Sequence, residues 1–127
     1  MLQNSSAFSS FSVDDLQKAK DFYQNILGLK VTDNPMGLIE LHISGSTPVM
    51  IYPKPNHVPA TFTVLNFPVD DIDAAAKELT EKGVHFQIYD KENLKTDENG
   101  ISRGNGGPNI AWFTDPAGNM LSILENR

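Results

Sequence analysis

An internal repeat constrains this chain more than any other feature. The segment Phe11-Ser12-Val13-Asp14-Asp15-Leu16 resembles Phe67-Pro68-Val69-Asp70-Asp71-Ile72. An amphipathic stretch follows each, and then a glycine, Gly28 in the first copy and Gly83 in the second. The offset is 56 residues at Asp15/Asp71 and 55 at Gly28/Gly83, so the copies differ by one residue. A fixed period of this kind marks one structural unit used twice.

Each copy reads as a strand, a helix and then further strands. In the first helix, expected from Asp15 to Leu27, Leu16, Ala19, Phe22, Tyr23, Ile26 and Leu27 share a face at helical spacing. Asp14 is the expected N-cap, with Gln17 three residues on as in a capping box, and Gly28 the expected left-handed stop. The second helix is expected from Asp71 to Lys82, with Asp70 as cap, Ile72, Ala75, Ala76 and Leu79 inward, and Gly83 as stop. These apolar stripes read first as core packing.

The strands alternate, so one face of each can meet a helix while the other is left open. Phe11 and Val13 oppose Phe8, Ser10 and Ser12; Leu65, Phe67 and Val69 oppose Val64, Asn66 and Pro68; Ile39, Leu41 and Ile43 oppose Glu40 and His42. Further strands are expected at Leu29–Thr32, Pro48–Tyr52, Val84–Gln87, Ile110–Thr114 and Met120–Leu124. The proline-rich run from Pro53 to Pro59 reads as a stiff connection, giving one domain with module one over 1–53, a linker over 54–60 and module two over 61–127. Asp90 to Asn109 is polar and glycine-rich, with Leu94 and Ile101 its main apolar anchors. A loop of that length is expected to act as a lid, with Arg103 reaching an anionic group on a ligand, or else to be an irregular solvent loop.

Composition closes several routes. A net charge of −6 argues against nucleic acid, which needs a basic face. With no cysteine there are no disulfides, thiolate metal sites or cysteine nucleophile. No stretch is apolar enough to suggest a membrane span, and Met1 to Ser12 lacks the basic and apolar regions of a secretory leader. A cytoplasmic protein is the expectation. There is no Ser-x-x-Lys, nucleophile elbow or phosphate loop, and Gly104-Asn105-Gly106-Gly107 opens onto a strand rather than a helix.

Three segments carry a family resemblance. They are Val13-Asp14-Asp15-Leu16 through Phe22-Tyr23 to Ile26-Leu27-Gly28-Leu29, then Val69-Asp70-Asp71-Ile72 through Ala76 to Gly83-Val84, and Phe113-Thr114-Asp115-Pro116-Ala117-Gly118-Asn119 before an apolar strand. Together they resemble the vicinal oxygen chelate superfamily of glyoxalases, extradiol dioxygenases, fosfomycin-resistance enzymes and bleomycin-resistance proteins. The resemblance implies an α+β fold: two tandem βαβββ modules forming a cupped mixed sheet around a small-molecule pocket. Asp115-Pro116-Ala117-Gly118-Asn119 also reads, without the family, as a tight turn between two strands.

The resemblance implies metal ligands on the first and last strands of each copy. Those positions fall on Phe8, on Met50 or Ile51, on Val64 and on Ser122, none of which carries the carboxylate, imidazole or thiolate that a divalent ion needs. No metal and no other cofactor is therefore expected. Of the three histidines, His57 and His85 read as surface or hydrogen-bonded residues. His42 lies with Glu40 on one strand face, where the two are candidates for acid and base, for ligand contacts, or for plain solvation.

What is expected is a binding wall of Phe8, Ser10, Ser12, Met50, Tyr52, Val64, Asn66, Met120, Ser122 and Leu124, with Trp112 and Arg103 joining it. Core filling is the competing reading of each. The implied function is a metal-free small-molecule-binding protein like the bleomycin-resistance branch. The alternative is a glyoxalase-like lyase, isomerase or dioxygenase acting on a small metabolite. A homodimer is the expected assembly, because such sheets leave edges to cover.

Overall fold

The computed structural model describes residues 1–103 and 107–125. Gly104, Asn105 and Gly106 of the glycine-rich run lie outside them. The chain divides into two compact units, Met1–Pro59 and Ala60–Arg127, with the boundary at the end of the proline-rich stretch.

The first unit is a four-stranded sheet with one helix. Its strands are β1 (Ser10–Val13), β2 (Lys30–Asn34), β3 (Leu38–His42) and β4 (Val49–Pro53), in the order β1-β4-β3-β2. β1 runs parallel to β4 and the other pairings are antiparallel, so the sheet is mixed. Helix α1 (Leu16–Asp21) packs on the face carrying Val13, Ile39, Leu41, Val49 and Ile51, all buried with Ala19 and Tyr23. Lys20 of α1 reaches Asp33 at 3.0 Å on that same face.

The second unit repeats the plan. β5 (Thr63–Pro68) runs parallel to β10 (Met120–Glu125), which pairs antiparallel with β9 (Asn109–Thr114). Helix α2 (Ile72–Glu81) contacts β9 and β10, and Ile72, Ala76, Ala111, Phe113, Leu121 and Ile123 are buried. The expected α+β fold of two βαβββ modules is what the chain adopts, with one four-stranded mixed sheet in each module. The turn expected at Asp115–Asn119 also forms: the Asp115 carboxylate accepts from the backbone N–H of Ala117 and Asn119, and Gly118 has φ +86.

Local details depart from the sequence reading. The caps are Asp15 and Asp71, not Asp14 and Asp70: each accepts at 3.1 Å from the backbone N–H three residues on. Gln17 makes no capping box and donates to Asp21 instead. The capping aspartate must keep extended backbone, and in each Asp-Asp pair the second one does so immediately before the first inward residue. At α2 the Glu125 carboxylate takes the Ile72 N–H at 2.8 Å, satisfying a second orphan donor.

The first helix is not a uniform α-helix to Leu27. Phe22–Ile26 is a π-helical turn, with the Leu27 N–H bonded to the Phe22 carbonyl. This is where the extra residue of the first copy goes. Cap and stop are 13 positions apart at Asp15/Gly28 and 12 at Asp71/Gly83, and a π turn accommodates one additional residue. The second helix ends without it: Val84 N–H bonds to Leu79 and Gly83 N–H to Thr80, a Schellman close around Gly83 at φ +98.

The fourth strand of the second sheet is split. Val84–Gln87 forms no continuous strand; it meets β9 only through a bridge at Phe86/Phe113 and a bond from Gln87 N–H to Trp112 O. The chain then leaves the sheet through a hairpin of β6 (Asp90–Lys91) and β7 (Leu94–Lys95). It returns as β8 (Ile101–Ser102), which pairs with Ala111 and Ile110 farther along the same edge. The polar stretch is therefore not an unanchored loop, because Gly100, Ile101 and Ser102 are all buried.

The first strand likewise starts at Ser10 rather than earlier. Phe8 precedes it and is 63% exposed.

Candidate functional site

In each sheet the helix covers one face, and pairing register sets out what stands on the other. In the first sheet, Ser10 faces Met50, Met50 faces Glu40, and Glu40 faces Thr32, forming one row across four strands. Beside it Ser12 faces Tyr52, and Asn34 faces Leu38. On the other side His42 faces Lys30. Hydroxyls thus stand at the β1 edge, a thioether and a phenol toward the middle, and a polar group at the β2–β3 edge.

That polar group is tied together diagonally. Thr32 Oγ1 and His42 Nε2 are hydrogen-bonded at 2.8 Å, and Asn34 Nδ2 donates to Glu40 Oε2 at 2.8 Å. Glu40 Oε1 stands 3.9 Å from His42 Nε2, with both side chains partly buried. The two residues singled out as weak catalytic candidates are thus neighbours, oriented by Thr32 and Asn34, which the sequence reading did not pick.

His57 is a second addition. Its Nδ1 is hydrogen-bonded to Ser12 Oγ at 2.6 Å. The connection folds back through a turn closed by His57 N–H on Lys54 O. Pro55 and Asn56 sit at the two central positions of that turn, a readable turn signal.

In the second sheet the matching row is Asn66, Ser122 and Trp112. Ser122 Oγ donates to Asn66 Oδ1 at 2.5 Å and is fully buried. Trp112 meets Tyr89 edge to face, with ring centroids 5.7 Å apart. Leu124 and Ile110 stand in the next row. The β5–β10 register skips one residue at Val64, because Met120 pairs with Thr63 while Leu121 pairs with Leu65. The repeat makes Glu40 of the first sheet the counterpart of Trp112 in the second: an acid where the other copy has an aromatic.

Arg103 stands elsewhere. Its guanidinium is hydrogen-bonded to Asp73 on α2 and, at 3.2 Å, to Asp97. Two carboxylates hold it, so it ties the segment between β7 and β8 to α2. Burial pushes the Asp97 carboxyl up, but the backbone N–H groups of Ile101 and Asn99 and the Arg103 guanidinium outweigh it and hold it below its ordinary value. Hydrogen bonds to Asp73 and Asp97 push Arg103 up in turn.

A separate cleft of about 360 Å³ lies between α2 and the turn before β8. Its rim is charged, with Asp73, Lys77 and Glu81, and its floor, Ala76 and Ile101, is buried.

The four positions where the resemblance implies metal ligands do not fit a metal. Phe8 precedes β1, Val64 is the residue skipped in the register, Met50 offers a thioether, and the Ser122 hydroxyl is spent on Asn66. Among the described residues no group of three or more His, Asp or Glu is placed to hold an ion.

Comparison with known proteins agrees with the fold. TnmS3, an antibiotic binding protein from Streptomyces sp. CB03234, is 24% identical, superposes with a TM-score of 0.69, and the match covers 98% of each chain. A superfamily member from Sphaerobacter thermophilus DSM 20745 is 27% identical over 94% of this chain and 97% of its own, with a TM-score of 0.69. The fosfomycin resistance protein FosX from Listeria monocytogenes is 16% identical over 95% and 92%, with a TM-score of 0.70. Among curated proteins no sequence matches. The family model described as Glyoxalase/Bleomycin resistance protein/Dioxygenase superfamily matches residues 8–123, and the chain belongs to that superfamily.

Proposed function

We propose that this chain is a metal-free protein that binds a small organic molecule. The observation that carries this reading is the side chains at the four ligand positions, Phe8, Met50 or Ile51, Val64 and Ser122, which offer packing surface and one committed hydroxyl. The helix-free strand faces support it. In the first sheet Met50 and Tyr52 give apolar area and Ser10 and Ser12 polar contacts; in the second, Trp112, Met120 and Leu124 stand with Asn66. Small-molecule sites are commonly built from this mixture. The antibiotic-binding neighbour TnmS3 is consistent with it.

A thermal-shift screen of antimicrobial compounds, run with and without EDTA, tests the reading. The expected result is stabilisation by particular organic compounds that EDTA leaves unchanged. Binding that appears only after a divalent metal is added would overturn it.

One observation favours a second reading, an enzyme acting on a small metabolite. Glu40 and His42 are 3.9 Å apart and oriented, which suits general acid–base chemistry. A turnover lost in both Glu40→Gln and His42→Asn would support it.

As the setting for either activity we place the chain in the cytoplasm, on its lack of cysteine alone. We also propose a homodimer, since Phe8, Val58 and Phe62 each leave large apolar surface exposed. Light scattering that reports a monomer at micromolar concentration would refute it.

A further inference from the structure

The geometry points to an organic cation as the ligand of the first sheet, with its protonated nitrogen on Glu40 and its apolar body across Met50 and Tyr52. The inference rests on the small-molecule-binding reading above and adds a charge and an orientation to it.

One oxygen of the Glu40 carboxylate is satisfied within the sheet. Asn34 donates to Oε2. Among the described residues no Lys or Arg lies within 4.0 Å of Glu40, and Oε1 accepts no hydrogen bond; His42 Nε2 stands 3.9 Å from it. That ring nitrogen is already engaged with Thr32. A carboxylate only 26% exposed thus has no Lys or Arg partner among the described residues. Such a group gains most from a donor that brings its own positive charge, because charge-assisted hydrogen bonds are about twice as strong as neutral ones. Lys30, across from His42, is the nearest basic residue by register, and its side chain is exposed.

Met50 is the direct cross-strand neighbour of Glu40, and Ser10 is the next one along the row. At the usual strand spacing the row from Glu40 to Ser10 is roughly 10 Å long. Tyr52 adjoins Met50 two residues on along β4. An apolar strip with a carboxylate at one end and a hydroxyl at the other matches a small amine with a flat or aliphatic body. It does not match a carboxylate ligand, which would meet Glu40 as like charge.

Three probes share one body and differ in the end group: phenethylamine, 2-phenylethanol and 3-phenylpropionic acid. Each is titrated into the full chain and followed by NMR at the Met50 methyl and the His42 ring. The expected result is an amine Kd at least tenfold below that of the alcohol, with the acid weakest, and shifts at both reporters. Glu40→Gln, which keeps the size and the Asn34 contact, should bring amine and alcohol within about twofold. Equal binding of amine and alcohol with shifts at Met50 would overturn the cation while leaving the binding reading intact. An amine preference that survives Glu40→Gln, or no binding by any probe at millimolar concentration, would also overturn it.

Discussion

Gly100 lies so close to Phe86 that a β-carbon on it would stand 2.6 Å from the Phe86 β-carbon and 3.2 Å from the Gln87 carbonyl oxygen. The contact joins the two halves of the split strand, where the chain leaves the sheet after Gln87 and where it returns at Ile101. Gly100 also has φ +86, which an L side chain rarely adopts.

Gly100→Ala therefore combines a steric clash with backbone strain. It should destabilise the second unit by about 2 kcal/mol or more. Urea unfolding checks this; a change below about 0.5 kcal/mol would show that the return path is not tightly set.

The Ser122–Asn66 pair yields an asymmetric prediction. Asn66→Ala leaves the Ser122 hydroxyl buried with its bond removed, at a cost of about 1–3 kcal/mol. Ser122→Ala removes the need for the bond and should cost less, and the double variant should resemble Ser122→Ala. A double-mutant cycle on unfolding free energies reads this directly.

The one-residue difference between the copies predicts unequal tolerance to deletion. Removing exposed Asn25 from the π turn gives the first copy the cap-to-stop spacing the second already has, so the chain should lose less than about 1 kcal/mol. Removing exposed Glu78 from α2 leaves a spacing found in neither copy and rotates Leu79 away from the sheet. That variant should fail to give a cooperative transition.

Asp97 predicts a pH dependence confined to low pH. Its carboxyl lies below the ordinary value of 3.8, so folding favours the ionised form. The stabilisation is complete above the unfolded value and is lost as pH falls through the lower folded value. Hydrogen exchange at the Asn99 and Ile101 amides should be insensitive to this carboxyl at neutral pH and accelerate below about pH 4, after correction for intrinsic rates. In Asp97→Ala these amides should exchange fast throughout.

The repeat, both helices and the Asp115–Asn119 turn were legible because each rests on local chemistry: apolar period, capping acid, stop glycine, turn residues. Strand alternation put Ser10, Ser12, Met50, Tyr52, Asn66 and Ser122 on the faces where they stand. The caps were misplaced by one residue because Asp14-Asp15 and Asp70-Asp71 each offer two carboxylates, and only the backbone conformation chooses between them. The split strand was illegible because Val84–Gln87 and Ile101–Ser102 pair with one neighbour across an intervening hairpin, a long-range event no local pattern records. The carboxylate partners of Arg103 were illegible for the same reason: Asp73 is 30 residues away in sequence. Glu40 and His42 were found by alternation, but their Thr32 and Asn34 partners depend on the β2–β3 register.

Native mass spectrometry of the chain as purified under mild conditions tests the central claim most directly, because one spectrum distinguishes an organic ligand from a metal ion. The expected spectrum shows the bare chain together with a non-covalent adduct of organic mass, unaffected by chelator. An adduct of one divalent transition metal per chain, lost on chelation together with any organic species, would contradict it.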